Sequence, residues 1–597
     1  MTYQSPTQDI QFALETLADL EKLATLPGLE DATPDVIAQM IEEGGKFFND
    51  ELAPSNWDAD QAGCSLENGV VRTYEKFPEL YAQYRETGWI GAAYAPEIGG
   101  LGLPWAVNAA GQEMLFAANM SFSLCPLLSQ GAIEAIEAHG TPEQQAKYLE
   151  RLVSGEWTGT MNLTEPHAGS DVGALKSRAE PQPDGTYRIF GQKIYITFGE
   201  HDMAENIIHL VLARTPGAPD GTKGISLFIV PKFLVNDDGS LGERNDAKCI
   251  KLEEKLGIHA SPTCVMQYGD DGGAVGYMIG PENSGMACMF TMMNNARLSV
   301  GIQGLGIAER AYQHALAYAK DRVQSAKIGG SSQDSVRIIE HPDVRRNLLL
   351  MKSQVEAFRG LAYHATANID VARRAEDREV AAQAQRRVDL LTPIVKGWGT
   401  DIACEIASTG VQIHGGMGFV EETGAAQHYR DARILPIYEG TNGIQALDLI
   451  GRKLARDRGR GVGEMIADIQ TCVDALNAAD HVTLRAIASR LAPALADLRI
   501  ASDYLLQTAG ENMPSAAVGA TPYLTLWGTV AGGWVMAVEA LEAAKRLTAG
   551  DENVQYLETK LTTARFFADQ LLPRSGGLVE AVRSSTDEVI GLDEAAF

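Results

Sequence analysis

A block of strand-like segments lies between two long helical regions, and this order limits the folds that the chain can adopt. The strand-like runs are rich in β-branched and aromatic residues and end at turn residues such as Pro183, Asp184 and Gly185. No convincing crossover helix separates consecutive runs, so the pattern favours antiparallel pairing over a parallel nucleotide-binding sheet. The runs cover residues 187–190, 193–197, 207–213 and 225–230.

The regions on both sides of this block have helical periodicity. Apolar residues recur at spacings of three and four before residue 160 and again from Met289 onward. Thr141 followed by Pro142 is a typical helix start, with a capping side chain ahead of a proline in the first helical position. Three segments have the length of bundle helices, at residues 304–324, 344–375 and 381–410.

A chain of 597 residues is too long for a single hydrophobic core. The sequence therefore predicts an α+β protein with a helical N-terminal domain, a central antiparallel β-domain, a helical bundle and an extra C-terminal helical domain. The last domain contains no catalytic motif, and we expect it to stabilise the bundle or an oligomer interface. The predicted boundaries are residues 1–160, 161–283, 284–455 and 456–597.

Charge and cysteine content exclude several classes of protein. The net charge of -28 argues against a nucleic-acid partner, because phosphate binding needs a basic surface. The seven cysteines occur singly, which favours free thiols in a reducing compartment over a disulfide framework or a zinc site. The histidines lack metal-ligand spacing, so no metal is predicted.

The sequence shows no targeting signal. No apolar run reaches the length expected of a transmembrane span. The first arginine is Arg72, whereas transit peptides are rich in arginine and poor in acidic residues. We therefore expect a cytoplasmic protein.

Several catalytic signatures are absent from the sequence. There is no G-x-x-x-x-G-K-[ST] phosphate loop and no G-x-G-x-x-G following a strand, which argues against a nucleotide triphosphatase and a Rossmann dehydrogenase. The H-E-x-x-H pattern is also missing, so metal-dependent hydrolysis is not indicated.

Two turn-rich stretches are candidates for ligand binding. Residues 161–173, with the sequence MNLTEPHAGSDVG, form a polar turn at the entry to the strand region. Exposed backbone N–H groups and hydroxyls in such a turn suit a pyrophosphate or a flavin ring, although a purely structural turn fits as well. Residues 412–419, with the sequence QIHGGMGF, are equally open to both interpretations, since glycines also let helices approach closely.

A third stretch, residues 434–444 with the sequence ILPIYEGTNGI, places Glu439 at the end of a loop just before a helix-spaced apolar run. Such a carboxylate projects into a cleft, and its apolar neighbours Ile437 and Tyr438 are expected to raise its pKa toward the range of a general base. The fragment alone also fits a helix-start carboxylate that is stabilised by the helix dipole.

The three stretches together, with K-I-Y-I-T at residues 193–197 and R-D-A-R-I at residues 430–434, resemble the acyl-CoA dehydrogenase family in order and spacing. The resemblance covers about residues 80–455. It implies a homodimeric or homotetrameric flavoprotein with FAD between the β-domain and the helices, partly held by a neighbouring subunit. It also implies an acyl-CoA substrate and an electron-transferring flavoprotein as the acceptor.

The resemblance assigns a role to individual positions. Thr164 matches a threonine near flavin N5 and O4, while Gly169 and Ser170 match a pair at the pyrophosphate. Arg322 matches an arginine that reaches the FAD of the adjoining subunit, and Gln412 begins the adenosine-binding turn of a second subunit. The full set implied for the cofactor is Met161, Leu163, Thr164, Gly169, Ser170, Tyr195, Ile196, Thr197, Arg322, Gln412, Gly415, Gly416, Thr441 and Gly443.

This sequence departs from the family pattern at two cofactor positions and one substrate position, and the set implied for the acyl-CoA is smaller than that for the cofactor. Many relatives have tryptophan at the position of Tyr195, and an acidic residue is common at the position of Asn294. Gly443 replaces the usual glutamine. The implied substrate-binding residues are Ser170, Asn294, Arg297, Tyr438 and Gly440.

Glu439 matches the catalytic base of the family. The α-C–H of a thioester is a weak acid, so its carbonyl must be polarised while a carboxylate removes the proton. The resemblance implies that the glutamate backbone N–H and a ribityl hydroxyl of FAD polarise the carbonyl. Hydride transfer from the β-carbon to flavin N5 then leaves a trans-2-enoyl-CoA.

The residues outside the common core narrow the expected substrate. Residues 3–12, residues 198–209 and the long tail resemble a large subgroup that acts on 3-(methylthio)propanoyl-CoA during dimethylsulfoniopropionate breakdown and gives 3-(methylthio)acryloyl-CoA. A general short-, medium- or long-chain fatty acyl-CoA dehydrogenase of β-oxidation is the alternative. An acyl-CoA oxidase and a non-catalytic scaffold with the same fold are the remaining hypotheses.

Overall fold

The computed structural model describes residues 3–584 and 586–597, apart from the side chain of Asn294. The chain forms two compact units. The bundle unit consists of Met1–Gly45, Pro104–Ala117 and Val300–Phe597, and the sheet unit consists of Lys46–Leu103 and Ala118–Ser299. The four domain boundaries predicted from the sequence stay a prediction.

An eight-stranded sheet forms the centre of the sheet unit. Its strands pair antiparallel except at one junction, where Trp157–Asn162 and Asn206–Ala213 run parallel. The predicted antiparallel domain needs this one correction, because the long connection over residues 163–205 returns the chain in its original direction. The strands are Trp157–Asn162, Arg178–Pro181, Tyr187–Thr197, Asn206–Ala213, Ser226–Pro231, Ala247–Leu252, Thr263–Tyr268 and Ala274–Ile279.

Two neighbouring strands of this sheet, next to the edge strand Trp157–Asn162, are buried along their whole length. Every residue of Asn206–Ala213 and of Ser226–Pro231 is buried, which explains their almost continuous apolar sequence. The runs predicted at residues 187–190 and 193–197 belong to the single strand Tyr187–Thr197. Short antiparallel pairs add Ser65–Glu67 with Val70–Arg72, and Phe233–Val235 with Leu241–Arg244.

The helix start predicted at Thr141 is confirmed. Thr141 Oγ1 accepts a hydrogen bond from the Gln144 backbone N–H at 3.3 Å, and Gln144 Oε1 accepts one from the Thr141 N–H at 3.0 Å. This reciprocal capping box satisfies two N–H groups that the helix itself leaves without partners. The α-helices of the sheet unit are Ser55–Ala62, Phe77–Glu86, Met120–His139 and Pro142–Val153.

Three long helices dominate the bundle unit, and all three begin earlier than the sequence predicts. Gly285–Asp321 starts well before residue 304, because its internal glycines serve close helix packing and do not break the helix. A Cβ added at Gly301 would lie 2.6 Å from Val395 Cγ1. The other two long helices are Pro342–Arg374 and Arg378–His414. After the helix Gly285–Asp321, the short strands Val323–Ala326 and Ser335–Arg337 form an antiparallel pair.

Shorter helices complete the part of the bundle unit that precedes the C-terminal segment. Two of them flank the loop that contains Glu439. The set is Thr7–Ala13, Leu20–Leu23, Pro34–Phe47, Trp105–Ala118, Gly416–Phe419, Ala425–Ala432 and Asn442–Asp448.

The C-terminal segment packs within the bundle unit. Gly528 allows one of its helices to lie against Trp398 of Arg378–His414, since an added Cβ would lie 2.0 Å from the indole Cγ. Its α-helices are Arg460–Ala478, Val482–Glu511, Met513–Val518, Ala520–Ala549, Val554–Gln570, Ser575–Arg583 and Thr586–Gly591.

One C-terminal helix has the length and composition of a membrane span. The expectation that no segment reaches this length is therefore wrong for Ala520–Ala549. Its most apolar stretch is 83% buried inside the protein, so the helix is a core element of the bundle unit.

Buried ion pairs connect the two ends of the chain to the bundle. The Lys560 ammonium lies 2.9 Å from Asp9 Oδ1 and 3.3 Å from both Glu356 Oε1 and Glu539 Oε2. A buried charge requires partners of opposite sign, so these contacts fix the first helix against the bundle and the tail.

The seven cysteines are free, which confirms the prediction of unpaired thiols. Five of them are buried, and Cys64 and Cys404 are half-buried.

Asp370 is a buried carboxyl at the start of the helix Trp105–Ala118. Its Oδ2 accepts a hydrogen bond from the Trp105 backbone N–H at 2.8 Å, while its buried Oδ1 has no hydrogen-bond partner in the part of the chain that the structure describes. Burial raises the pKa of Asp370 to about 7, against an ordinary value of 3.8. The carboxyl therefore ionises within the neutral pH range at a cost in stability.

Replacing Asp370 by Asn tests this cost. The folded state binds a proton at Asp370 between pH 3.8 and about 7 that the unfolded state releases, so wild-type stability falls as pH rises through this window. We expect Asp370→Asn to raise the thermal midpoint by about 2–4 °C at pH 8 and by less at pH 5. The exposed helix-capping Asp377→Asn is the control, and an equal effect of Asp370→Asn at both pH values would contradict the assignment.

Candidate active site

The loop Ile434–Thr441, here called the Glu439 loop, joins the helices Ala425–Ala432 and Asn442–Asp448. Thr441 caps the second helix, because its hydroxyl accepts a hydrogen bond from the Ile444 backbone N–H at 3.3 Å. The position of Glu439 just before a helix, predicted from the sequence, is confirmed. The Glu439 side chain is half-buried.

The backbone around Glu439 has an uncommon conformation. Glu439 has φ of 56° and Gly440 has φ of 82°, so two successive residues occupy the left-handed region. A residue other than glycine pays for this conformation in free energy, and such strain occurs mostly where surrounding contacts impose it.

Hydrogen bonds from Lys396 and Gln445 hold this conformation. The buried Lys396 ammonium donates to the Gly440 carbonyl at 2.8 Å. The Gln445 side-chain amide donates to the Glu439 carbonyl at 3.3 Å and to the Gly440 carbonyl at 3.1 Å. The carbonyl groups of both Glu439 and Gly440 are therefore fixed by hydrogen bonds.

Asn442 connects this loop to the helix Arg378–His414. Its Oδ1 accepts from the Lys396 ammonium at 2.9 Å, and its Nδ2 donates to Asp401 Oδ1 at 2.7 Å. The same Nδ2 also donates to the Gly397 carbonyl at 2.9 Å. Neither Lys396 nor Asn442 was predicted from the sequence as a positioning residue. Asn442 lies inside the recognised motif, but nothing in the sequence marks Lys396.

Tyr438 is fixed by a hydrogen bond to the long helix Gly285–Asp321. Its hydroxyl donates to Gln303 Oε1 at 2.5 Å. Burial, and to a smaller extent the charge of Glu439, raises the pKa of Tyr438 well above its ordinary value. Tyr438 is therefore a neutral hydrogen-bond donor next to the Glu439 carboxylate.

In the sheet unit, residues Thr164 to Asp171 form a tight turn, here called the Thr164 turn. Backbone hydrogen bonds between Glu165 and Ala168 close it, at 3.1 Å and 3.0 Å. Gly169 and Ser170 at its tip are exposed. The turn therefore presents the groups that the sequence analysis assigned to a ligand.

A buried ion pair between Glu165 and Lys193 holds the Thr164 turn in place. Glu165 Oε1 lies 2.8 Å from the Lys193 ammonium, and the Glu165 carboxylate also accepts from the backbone N–H groups of Lys176 at 2.7 Å and Ser177 at 3.0 Å. Burial lowers the pKa of Lys193 to about 8, although Glu165 opposes the shift. Burial alone would raise the pKa of Glu165, but Lys193 and the N–H donors bring it below its ordinary value.

The strand Tyr187–Thr197 places Tyr195 beside this turn. The Ile194 N–H donates to the Thr164 carbonyl at 2.9 Å, so the two motifs are joined. A β-bulge lies between Lys193 and Ile196, and within it Tyr195 has φ of 60°. Its ring is 61% exposed while Ile196 points into the core. The bulge turns a large aromatic side chain outward.

The structure also brings together two predicted motifs in the bundle unit. Arg322 follows the last turn of Gly285–Asp321, where its N–H donates to the Tyr318 carbonyl at 2.8 Å. The Tyr318 ring stacks on His414, with ring centroids 4.4 Å apart. His414 lies between Gln412 and Gly415, so Arg322 and the Q-I-H-G-G turn meet at one end of the bundle unit.

The remaining predicted residues lie as follows. Met161, Leu163 and Thr197 are half-buried, and Arg297 is buried in the helix Gly285–Asp321. The side chain of Asn294 lies outside the described residues. The exposed members are Arg322, Gln412, Gly415, Gly416, Thr441 and Gly443, whereas Gly440 is half-buried.

Comparison with family models places almost the whole chain in one family. Residues 38–156, 160–270 and 283–455 match the N-terminal, middle and C-terminal domains of acyl-CoA dehydrogenase. Residues 465–593 match a model described as acetyl-CoA dehydrogenase C-terminal like.

Individual relatives agree with these matches. The chain is 49% identical over 572 residues to 3-methylmercaptopropionyl-CoA dehydrogenase of Ruegeria pomeroyi, covering 96% of each chain. It is 35% identical to a butyryl-CoA dehydrogenase of Syntrophomonas wolfei, over 100% of this chain and 99% of the relative. A Bacillus anthracis acyl-CoA dehydrogenase solved with FAD has a TM-score of 0.74 at 21% identity, over 94% of this chain and 89% of that one.

Removing Lys193 tests its role under the Thr164 turn. Lys193→Met leaves the Glu165 carboxylate buried without its cation, so we expect a loss of about 3–5 kcal/mol in the free energy of unfolding of the sheet unit. The double variant Lys193→Met/Glu165→Gln removes both charges, and we expect it to recover part of this loss. The free energy of unfolding of both variants is measured by urea titration, with circular dichroism as the signal.

The control for this experiment is Lys248→Met, which removes an exposed lysine paired with Asp271 in the same unit. We expect little change in stability, because exposed ion pairs contribute little. Equal stabilities of the Lys193 and Lys248 variants would contradict a supporting role for the buried pair.

Proposed function

Because the chain belongs to the acyl-CoA dehydrogenase family, we propose that it catalyses the FAD-dependent α,β-dehydrogenation of an acyl-CoA thioester, with Glu439 as the base. The observation that carries this proposal is the strained, hydrogen-bonded Glu439 loop. Strain maintained by buried contacts at a single carboxylate is typical of a catalytic residue.

Glu439 removes the proton from the α-carbon of the thioester. The reaction requires a carboxylate in a fixed position and a hydrogen-bond donor at the thioester carbonyl oxygen. We assign the donor role to the backbone N–H of Glu439, because Lys396 and Gln445 fix the carbonyls of this segment. Tyr438, held by Gln303, precedes the carboxylate as a neutral residue.

The residues of the sheet unit fit a flavin. An exposed tyrosine ring on a β-bulge is an unusual surface feature, and a flat aromatic ligand stacked on Tyr195 would cover it. Thr164 is bonded through its carbonyl to the Ile194 N–H, one residue before Tyr195, and Gly169 and Ser170 offer an exposed turn for a pyrophosphate. FAD, when bound, accepts the hydride from the β-carbon of the substrate.

The rest of the implied cofactor set belongs to the same proposal. Met161, Leu163 and Thr197 would border the flavin, and Ile196, whose side chain is in the core, would do so through its backbone. Thr441 and Gly443 would contact it beside the base. Arg322 and the turn of Gln412, Gly415 and Gly416 are exposed at one end of the bundle unit, where they would hold the FAD of a neighbouring subunit. The proposal therefore includes a homodimer or homotetramer.

We assign substrate contacts to five residues. Ser170 would contact both the pyrophosphate and the acyl-CoA, and Tyr438 and Gly440 would border the reacting carbons. Arg297 and Asn294 would lie along the CoA moiety. An electron-transferring flavoprotein is the proposed acceptor, and transfer to oxygen is the alternative.

The proposed substrate is 3-(methylthio)propanoyl-CoA, an intermediate of dimethylsulfoniopropionate breakdown. Support comes from the identity of 49% to 3-methylmercaptopropionyl-CoA dehydrogenase over nearly the full length of both chains. The second candidate is a straight-chain acyl-CoA, supported by the butyryl-CoA dehydrogenase that is 35% identical over the whole chain.

Replacing Glu439 by Gln tests the base. The amide keeps the shape of the side chain but cannot accept the α-proton, so we expect unchanged flavin content and a fall in kcat of about 10²- to 10⁴-fold. Single-turnover bleaching of the flavin measures the rate. Glu422→Gln, at an exposed position in the same region, should behave as wild type. Full activity of Glu439→Gln would remove Glu439 from the mechanism.

An anaerobic titration distinguishes the candidate substrates. We expect flavin bleaching to be fastest with 3-(methylthio)propanoyl-CoA, and slower with octanoyl-CoA and palmitoyl-CoA. Fastest bleaching with butanoyl-CoA would favour the straight-chain candidate. Fastest bleaching by palmitoyl-CoA would instead assign the protein to long-chain fatty-acid oxidation. Absence of bleaching by all four thioesters in flavin-loaded protein would favour a non-catalytic scaffold.

A further inference from the structure

A buried glutamine amide contacts the residue that precedes the proposed base. Gln303, on the helix Gly285–Asp321, is 0% exposed, and its Oε1 accepts the hydrogen bond from the Tyr438 hydroxyl. The Nε2 group of the same amide is also buried and has no hydrogen-bond partner among the residues that the structure describes. Gln303 therefore uses its acceptor within the protein, while its N–H donors stay unused.

Close helix packing fixes the backbone on both sides of Gln303. A Cβ added at Gly301 would lie 2.6 Å from Val395 Cγ1, and one added at Gly304 would lie 3.3 Å from the Gly399 carbonyl oxygen. The hydrogen bond from the Tyr438 hydroxyl fixes the amide itself. The Nε2 group therefore cannot turn toward a different acceptor unless this hydrogen bond breaks.

The place of this donor points to the acyl group of a substrate. Nε2 and Oε1 belong to one planar amide, so the donor lies close to the Tyr438 hydroxyl, and Tyr438 directly precedes Glu439. A buried N–H without an acceptor costs free energy, which an acceptor on a ligand would recover. Beyond its thioester, a straight acyl chain has no acceptor, whereas 3-(methylthio)propanoyl-CoA carries a sulfur atom on its β-carbon.

We propose that Gln303 is a specificity-determining residue whose Nε2–H donates a hydrogen bond to the sulfur of 3-(methylthio)propanoyl-CoA. This inference rests on the proposed function, which supplies the reaction and places Tyr438 along the reacting carbons. A thioether sulfur is a weak acceptor, so the hydrogen bond itself contributes little. The competing substrate supplies the larger effect, because a methylene group at the sulfur position displaces water from the amide and leaves the N–H without an acceptor.

Pentanoyl-CoA is the matched comparison substrate, because it replaces the sulfur by a methylene group and keeps the length of the chain. We expect kcat/KM for anaerobic flavin reduction by the FAD-loaded wild type to be about tenfold higher with 3-(methylthio)propanoyl-CoA than with pentanoyl-CoA. Equal values in an active enzyme would overturn the role of Gln303 and leave the proposed dehydrogenation intact. Absence of flavin reduction by both thioesters would contradict the proposed function, and this inference with it.

Gln303→Met removes the donor and keeps an unbranched side chain of similar length. We expect the ratio of the two kcat/KM values to fall about tenfold in this variant, to near one. Gln385→Met makes the same substitution at an exposed position of the helix Arg378–His414 and should keep the wild-type ratio. A ratio that persists in Gln303→Met would come from the intrinsic reactivity of the thioester, and an equal loss with both substrates would indicate a structural role alone; either result would overturn the proposal.

Equilibrium binding separates recognition from chemistry. In FAD-loaded Glu439→Gln, which lacks the base, the change in the flavin spectrum on titration gives the Kd of each thioester without turnover. We expect 3-(methylthio)propanoyl-CoA to bind this variant about tenfold more tightly than pentanoyl-CoA, and the double variant Glu439→Gln/Gln303→Met to bind both alike. Equal affinities of the two thioesters for Glu439→Gln would overturn the proposal whether or not the double variant folds.

A third thioester in the same titration distinguishes a hydrogen bond from the packing of a sulfur atom. 3-Methoxypropanoyl-CoA has an ether oxygen at the position of the sulfur, and this oxygen is also an acceptor. We expect its affinity to fall between Glu439→Gln and the double variant, as for the sulfur substrate, while that of pentanoyl-CoA does not fall. A loss confined to the sulfur substrate would assign the selectivity to sulfur packing and overturn the hydrogen bond from Gln303.

Discussion

The position of Glu439 depends on the buried ammonium of Lys396. A lysine that is removed from water must find acceptors, and Lys396 finds them in the Gly440 carbonyl and the Asn442 side chain. Relaxation of the left-handed Glu439–Gly440 pair would break the first of these contacts and leave a buried charge with fewer partners. The strain in the loop is therefore maintained by a larger cost elsewhere, and the helix Arg378–His414 determines where the carboxylate stands.

In the sheet unit, too, a buried lysine and its acceptors fix the backbone of a loop. Lys193 and Glu165 form a buried pair beneath the Thr164 turn, and the exposed tip of the turn contributes little to the packing. Apart from the buried Ile196, Arg297 and Gln303, the described residues proposed to contact ligands are exposed or half-buried, while in each unit a buried lysine and its acceptors fix the backbone beside them. Because the buried hydrogen bonds fix the backbone, the residues proposed to contact ligands can be exposed and still keep a defined geometry.

Apart from Gln303, the residues proposed to contact ligands could be predicted from the sequence, whereas the buried residues that fix the backbone could not. Glu439, Thr164 and Tyr195 lie in short motifs, so their local setting before a helix, in a turn or in a strand could be read directly. Lys396 precedes Asn442 by 46 residues, and no periodicity reports such a pairing. The parallel pair of strands and the early start of Gly285–Asp321 were missed for the same reason. Both depend on packing between distant segments, which outweighs local propensity.

The helix Arg378–His414 connects the tail to the chemistry. Lys396 and Thr400 contact Asn442, whereas Trp398, Ile402 and Glu405 line a cavity of about 560 Å³ between this helix and the C-terminal helices. Asp401 lies between these two sets and reaches both Asn442 and the cavity. Both sets lie on one helix, so the same element of the bundle unit packs against the tail and fixes the Glu439 loop. The tail thus extends the set of contacts that hold the loop.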